Sequence, residues 1–511
     1  MAEEITKDTG RCGSSMNRVV WILFVVFTIF TYLFGLSIPL LGPDEPRYAQ
    51  VAREMFERHD WITPTLGGFP WFEKPALLYW LEAASYSVFG VSEFAARLGS
   101  ALFGLGIVLA LWVLGSFVAK QDARSAVGDL AKWLAFVGAT TVGIIVFSRG
   151  ASFDIILTFP ITTALVGFFI ADRSENRSGV SYYFPLASFY FFVGIALLAK
   201  GLVGIVFPFA IVAFYFFLSR RFPSGRFILS LFWGTLIWLA VATIWYVPVC
   251  LDNGYRFIDE FFIQHHFQRF TSNKYQHPQP FYFFFWVLLL MTIPWLPFFI
   301  AAIWKFAKRS LTDLLREKPE DQTNSSLTLF AVAWMLVPLV FFSFSGSKLP
   351  GYILPSVPAA IILTGEFVAR FSANRPSWIK PLIVFAFATL IAVCFLSKTV
   401  VPRYAEDDSV KSMIASADKA GYATDKIFSL HTVSHNAEFY GAGRLIRNED
   451  GTQRRFNGVP EIVEEMRGKG MTESLVIMPI AYTREMPIYE MIVPTVLSTN
   501  SEFAIVRFFL K

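Results

Sequence analysis

Long apolar runs recur along the first four-fifths of this 511-residue chain, and they constrain its fold more than any other feature. Crossing roughly 30 Å of hydrocarbon takes a helix of about 18 or more mostly apolar residues. Runs of that kind lie near 19–41, 95–119, 130–148, 153–171, 181–199, 202–218, 228–251, 282–305, 327–345, 352–370 and 379–398. That reading gives eleven transmembrane helices, two of which abut at Lys200-Gly201. A residue content that is 55% hydrophobic, with 56 Phe, suits a chain solvated mostly by lipid.

The basic residues set the expected orientation. With the N-terminus inside, alternate loops hold Arg11 and Arg18, then Lys120, Arg124 and Lys132, then Arg173 and Arg177, then Arg220, Arg221 and Arg226. Lys305, Lys308, Arg309, Arg316 and Lys318 follow, and then Arg370, Arg375 and Lys380. Loops rich in Lys and Arg stay cytoplasmic. An odd number of spans then puts the tail outside. The net charge of +5 comes largely from those inner loops and calls for no nucleic-acid partner. Cys12, Cys250 and Cys394 offer no disulfide framework, and the first span reads as a retained anchor.

Three parts are expected: a cytoplasmic N-terminus (1–18), a transmembrane bundle (19–399) and a small α/β domain outside the membrane (400–511). The bundle carries two large outer loops, 42–94 and 252–280. In the first, Arg47–Arg58 and Pro75–Phe89 have helical apolar stripes but are too short to span, so both read as interfacial helices. In the tail, Lys426–Leu430, Ser474–Ile480 and Phe503–Phe509 read as strands and Val459–Arg467 as a helix.

This topology gathers the ionisable residues on the outer face. Asp44, Glu45, Glu73 and Lys74 fall in the first outer loop, and Arg149 and Asp154 flank a short outer turn. Lys200 lies at another, His265, His266 and Arg269 in the second large loop, and Lys348 and Tyr352 at the last turn. Charges beside hydrocarbon are expensive to hold, so their clustering points to a working site. Plainer readings stand beside this one. Asp44 can be an N-cap with Pro46 in the first turn. Glu73 and Lys74 can be an interfacial pair. Asp154 can cap its span with Arg149 as partner. No Gly-rich phosphate loop is present for a nucleotide.

The order of these residues resembles the polyprenyl-phosphate-dependent glycosyltransferases of the protein O-mannosyltransferase superfamily, the GT-C architecture. Within it the greatest likeness is to the lipid A aminoarabinose transferases. Asp44-Glu45-Pro46-Arg47-Tyr48-Ala49, Phe72-Glu73-Lys74-Pro75 with Tyr79-Trp80, and Phe94-Ala95-Ala96-Arg97 carry the resemblance. So do Ala199-Lys200-Gly201, His266-Phe267-Gln268-Arg269-Phe270 and Lys348-Leu349-Pro350-Gly351-Tyr352. The resemblance implies an inverting enzyme of the inner membrane, with its site and tail domain on the periplasmic side. It would take a sugar, 4-amino-4-deoxy-L-arabinose or a hexose, from a polyprenyl phosphate carrier and pass it to lipid A, another glycoconjugate or a protein. Asp44 would be the leading catalytic carboxylate, with Asp154 and Glu45 as further acids. Lys74, Arg269, Tyr352, Lys200 and Lys348 would hold the carrier phosphate. Glu73 and His266 would form a divalent metal pair, for Zn or for Mg or Mn. The chain departs from that family in having one clear span, 379–398, before the tail, and in the doubled His265-His266. A flippase or transporter is the alternative of another class; it predicts ionisable residues near mid-bilayer and inverted halves, and neither pattern is present.

Overall fold

A computed structural model describes residues 17–121, 129–175, 179–268, 279–308 and 322–511. Helix α1 (Arg18–Leu33) leads into a loop layer made of α2 (Asp44–Glu57), a hairpin of β1 (Thr65–Leu66) and β2 (Phe69–Pro70), and α3 (Leu77–Phe89). The bundle continues through α4 (Glu93–Gln121), α5 (Leu130–Thr140), α6 (Val142–Ser148), α7 (Phe153–Arg173), α8 (Val180–Lys200), α9 (Val203–Leu218) and α10 (Gly225–Phe257). Then come α11 (Phe283–Met291), α12 (Leu296–Lys308), α13 (Gln322–Ser343), a 3-10 turn (Pro350–Ser356), α14 (Val357–Asn374) and α15 (Ile379–Asp408).

Among the described residues, seven helices are long and apolar enough to cross a membrane, or eight if the pair bent by 56° at Thr141 is one span. The remaining runs are shorter or broken. α5 and α6 meet at Thr141, whose backbone is extended. The amide of Val142, freed by that break, donates to Ile293 O at 2.8 Å in the gap between α11 and α12. Trp295 Nε1 donates to Thr140 Oγ1 at 2.7 Å beside it. Two interrupted helices therefore satisfy one another, as backbone away from water requires. α7 lies inside the bundle and packs on α8, α4 and α9; 78% of its apolar window is buried, and 89% of the window spanning the 3-10 turn and α14, against 17% for α15 at the periphery. Close approach needs small residues there: a Cβ on Gly167 of α7 would lie 2.7 Å from Pro185 O of α8.

The interfacial helices form where their stripes predict. α2 buries Tyr48, Val51, Ala52 and Met55, and α3 buries Leu78, Tyr79 and Tyr86. The hairpin between them turns at Gly67 and Gly68, with φ of +64° and +84°, a turn that favours glycine. Glu54 of α2 pins it, accepting from Gly67 N at 2.6 Å, Gly68 N at 3.0 Å and Thr65 Oγ1 at 2.8 Å.

The last bundle helix runs on to Asp408, past the expected limit at 399, and the tail's own elements begin with α16 (Lys411–Ala417). They continue with β3 (Ile427–Leu430), α17 (His435–Tyr440), β4 (Arg455–Phe456), α18 (Val459–Gly468), β5 (Glu473–Pro479), β6 (Ile492–Thr499) and β7 (Phe503–Leu510). The sheet order is β4-β3-β5-β7-β6, parallel around β3 and antiparallel around β7. Phe428, Val476, Val506, Ile462 and Met466 fill the core between that sheet and α18.

Candidate active site

Asp44 and Glu45 open α2, where the helix dipole favours negative charge. Pro43 holds the N-cap position and no side chain caps the helix, so the capping reading of Asp44 does not apply. Its half-exposed carboxylate pairs instead with Arg47, one turn on. Arg47 also lies 3.9 Å from Glu73, whose other oxygen accepts from Lys74 at 3.1 Å. Asp44, Arg47, Glu73 and Lys74 thus make a row of alternating charge. Burial works against the Arg47 charge, but Glu73, then Tyr48 and Asp44, outweigh it and hold the guanidinium pKa above its ordinary value. Burial, followed by Glu73, pushes the Tyr48 and Tyr79 hydroxyls well up, so both stay protonated donors.

The adjacent Glu45 has a different task from the catalytic one expected of it. Its carboxylate accepts from Arg97 at 2.6 and 3.2 Å, from Leu41 N at 2.8 Å and from Ala151 N at 2.7 Å. Arg97, 1% exposed, also donates to the carbonyls of Leu36, Ile38 and Pro39. Glu45 is therefore a buried tie between α2, α4 and the α6–α7 turn, with its acceptor sites spent on structure.

Asp154 stands in the first turn of α7. Ser152 is the cap of that helix, its hydroxyl accepting from Asp154 N at 3.2 Å. Arg149, expected as the partner of Asp154, turns to the end of α1 and donates to Thr31 O at 2.8 Å and Phe34 O at 2.5 Å, a good use of a cation at a helix C-terminus. The partner of Asp154 is Lys200, at the end of α8. The same ammonium lies 4.8 Å from the centroid of the Tyr352 ring. Gly351 lets the 3-10 turn come in closely, since a Cβ there would overlap the Asp154 carboxylate. Lys348, expected at the phosphate, is buried and donates to Ser345 O at 2.6 Å within its own turn.

The two charged groups meet through aromatic rings. Phe153 lies edge-on to Tyr48 at 4.8 Å and to Tyr79 at 5.4 Å. Residues from α2, the segment before α3, α7, α8 and the 3-10 turn thus converge at one end of the bundle. Three donors there, Arg47 Nε, Trp71 Nε1 and Tyr79 Oη, are buried without a hydrogen-bond partner among the described residues. Such donors suit an anionic or hydroxylated ligand. Sequence reasoning passed over Arg47, Tyr48, Trp71 and Tyr79 as site residues. The Asp44-to-Arg47 spacing of one helical turn was the available signal.

Arg269 and the side chains of His265 and His266 lie outside the described residues. The metal pair expected of Glu73 and His266 therefore has one side chain in view. Glu73 lies by Arg47 and Lys74, and among the described residues no group of three or more His, Cys, Asp or Glu gathers as a metal site.

Comparison with known proteins agrees with this geometry. Residues 18–259 match the profile of the dolichyl-phosphate-mannose-protein mannosyltransferase family. The undecaprenyl phosphate-alpha-4-amino-4-deoxy-L-arabinose arabinosyl transferase of Aeromonas salmonicida is 30% identical over 435 residues, 82% of this chain and 74% of that protein. The protein of the same name from Serratia proteamaculans is 28% identical over 431 residues, covering 82% and 72%. Among solved structures, ArnT from Cupriavidus metallidurans bound to undecaprenyl phosphate superposes with a TM-score of 0.77 at 21% identity, over 96% of this chain and 98% of that one. The oligosaccharyltransferase AglB from Archaeoglobus fulgidus shares the fold at a TM-score of 0.53 and 13% identity, over 91% and 69%. The chain belongs to the family of undecaprenyl phosphate-aminoarabinose arabinosyl transferases and is a multi-span membrane glycosyltransferase of the GT-C architecture.

Proposed function

We propose that this enzyme takes 4-amino-4-deoxy-L-arabinose from an undecaprenyl phosphate carrier and passes it to lipid A, with inversion, at the periplasmic face of the inner membrane. One observation carries the reading. The Asp44–Arg47–Glu73–Lys74 row and the Asp154–Lys200–Tyr352 group converge at one end of a bundle whose relatives are named undecaprenyl phosphate-aminoarabinose arabinosyl transferases.

The chemistry asks for these residue types. The bond from the sugar C1 to the carrier phosphate oxygen breaks, and its electron pair leaves on the phosphate. An acceptor oxygen bonds C1 from the opposite face. Lys74, Lys200 and Arg47 stabilise the charge that grows on the leaving phosphate, with Tyr352 beside Lys200. Asp44 orients the acceptor and takes its proton where it carries one. A phosphate acceptor is already anionic near neutrality, and toward it Asp44 serves orientation alone. Asp154, held by Lys200, faces the sugar. Glu45 positions α2, and Lys348 supports the turn that carries Tyr352.

Mass spectrometry of envelope lipids from cells with and without the protein tests the reading. A pentosamine adduct on lipid A that vanishes with the protein is the expected result; an unchanged lipid profile overturns it. The protein-mannosyltransferase profile makes a protein acceptor the second reading, and glycopeptides lost in the same comparison would favour it. For the acid, Asp44→Asn in the full-length reconstituted enzyme should lower transfer by about 100-fold or more. Full transfer in a folded variant rejects Asp44 as a catalytic group.

A further inference from the structure

The C-terminal domain reaches the segment that leads to Asp44. Its short helix α17 packs on α2. Arg53 of α2 donates to Phe439 O at 3.5 Å. On the other flank Arg447, paired with Glu438 and donating to Gly451 O at 2.9 Å, lies close over Gly67; a Cβ there would overlap its guanidinium. A Cβ on Gly451 would likewise overlap the Phe69 ring. The domain is thus seated against both α2 and the hairpin that follows it.

The chain between α1 and α2 forms no helix or strand, so its buried backbone groups need partners from elsewhere. Arg97 of α4 donates to the carbonyls of Leu36, Ile38 and Pro39, and Glu45 accepts from the amide of Leu41. Between them the amide of Leu40, a residue with no exposure, donates to the Tyr440 hydroxyl at 2.9 Å. The Pro39–Leu40 peptide is therefore held at its oxygen by the bundle, with Arg97 Nη2 at 3.0 Å, and at its N–H by the tail. The hydroxyl donates in turn to Glu93 Oε1 at 3.0 Å, which leaves a lone pair for Leu40. Lys411 of α16 pairs with that same carboxylate oxygen at 2.5 Å, a second link from the tail to the start of α4.

We propose that Tyr440 is a positioning residue for the transfer: by fixing the Pro39–Leu40 peptide it sets how the chain enters α2, and so where the Asp44 carboxylate stands. The inference rests on the transferase reading above and gives the tail a part in catalysis exercised through the backbone. A peptide unit is planar, so gripping it at both ends fixes its orientation, whereas one grip leaves it free to turn about the flanking φ and ψ bonds. Glu45 anchors one face of α2. Asp44 lies about 100° round the helix from it, half exposed, and its place depends on the lead-in. The phenol oxygen is what matters at position 440, since phenylalanine fills the same space but offers Leu40 N no acceptor.

The test uses the full-length enzyme in liposomes, with undecaprenyl phosphate-linked aminoarabinose as donor and purified lipid A as acceptor, each varied in turn. Tyr440→Phe should lower kcat by about tenfold, less than a 1 Å misplacement costs, and leave both KM values within about twofold. In an Asp44→Asn background the same change should cost less than about twofold, because residues that act as a unit are not additive. A kcat within about twofold of wild type overturns the proposal. An equal loss in the Asp44→Asn background also overturns it, as does a rise in either KM without a fall in kcat, since each places the effect away from Asp44. Glu93→Ala reaches the same contact from the other side should Tyr440→Phe not fold. With its acceptor gone the hydroxyl can turn from Leu40, so kcat should fall by about threefold or more, again without further loss in Asp44→Asn. A Glu93→Ala enzyme with wild-type kcat overturns the proposal. Absence of transfer by the wild-type protein defeats the transferase reading itself, whereas additive losses in a transferring enzyme defeat this inference alone.

Discussion

Asp44 and Glu45 are neighbours in sequence with the same chemistry and opposite fates. One is half exposed and answers to a single guanidinium; the other is enclosed and accepts four hydrogen bonds from three segments. Local sequence does not separate them, since the distinction depends on Arg97, 52 positions away from Glu45. Removing one partner of a buried ion pair leaves the other uncompensated, at a cost of about 3–5 kcal/mol. Arg97→Ala should therefore lower the melting temperature of the detergent-solubilised enzyme steeply, and an unchanged melt would show the tie to be dispensable. A third carboxyl, Glu82 of α3, is wholly buried with neither oxygen hydrogen-bonded among the described residues. Burial, then the Glu45 charge, raises its pKa well above 4.5. A raised folded-state pKa means stability that is fully present below about 4.5 and declines as the pH rises through the folded value. Glu82→Gln removes that dependence. Its melting temperature should exceed wild type at about pH 8, with the gap closing toward about pH 4. A gap that widens on acidification would reverse the sign and defeat the argument.

At the scale of elements, apolar length and helical stripes were legible, and the joints between elements were not. α2 and α3 lie where the first loop's periodicity puts them, and β3, β5, β7 and α18 lie where the tail's does. Both signals are local, repeating every 3.6 or 2 residues along one segment. The bend at Thr141 was missed because its stability comes from Ile293 and Trp295, on a helix pair far along the chain. The Asp154–Lys200 pair was missed for the same reason, and Arg149 was the nearer but wrong partner. The Lys348–Tyr352 turn illustrates the mixture. Pro350 and Gly351 marked a break, yet only the fold shows that Gly351 makes room for the Asp154 carboxylate. Gly351→Ala should push that carboxylate aside. A displacement near 1 Å at a reacting centre costs about 100-fold in rate, so kcat should fall by roughly that factor. A kcat within twofold of wild type would mean that Asp154 does not need its present position.

Across the whole molecule the charged groups separate by end. The Asp44 row and the Asp154–Lys200 pair occupy the end where α1, α6 and α8 finish and α2, α7 and α9 begin. The ion pairs Asp172–Arg221 and Glu366–Arg370 sit at the opposite end, near the close of α7, α9 and α14. Among the described residues, the ion pairs named here lie at the two ends rather than along a path through the middle, the pattern a transporter would need. The tail domain binds the first of these ends through α2, so the site and the tail must share one side of the membrane whatever that side is. The Lys and Arg bias of the loops supports the proposed outer side. A background with Cys12, Cys250 and Cys394 replaced by Ser lets this be read directly. A cysteine at exposed Lys469 of the tail should react with a membrane-impermeant maleimide added to intact spheroplasts. One at Arg220, in the loop after α9, should react only after the membrane is opened. Because the tail and Asp44 are physically joined, labelling of Arg220 and protection of Lys469 would move the whole site to the cytosol. A lipid-linked donor presented on the periplasmic leaflet would then be out of its reach.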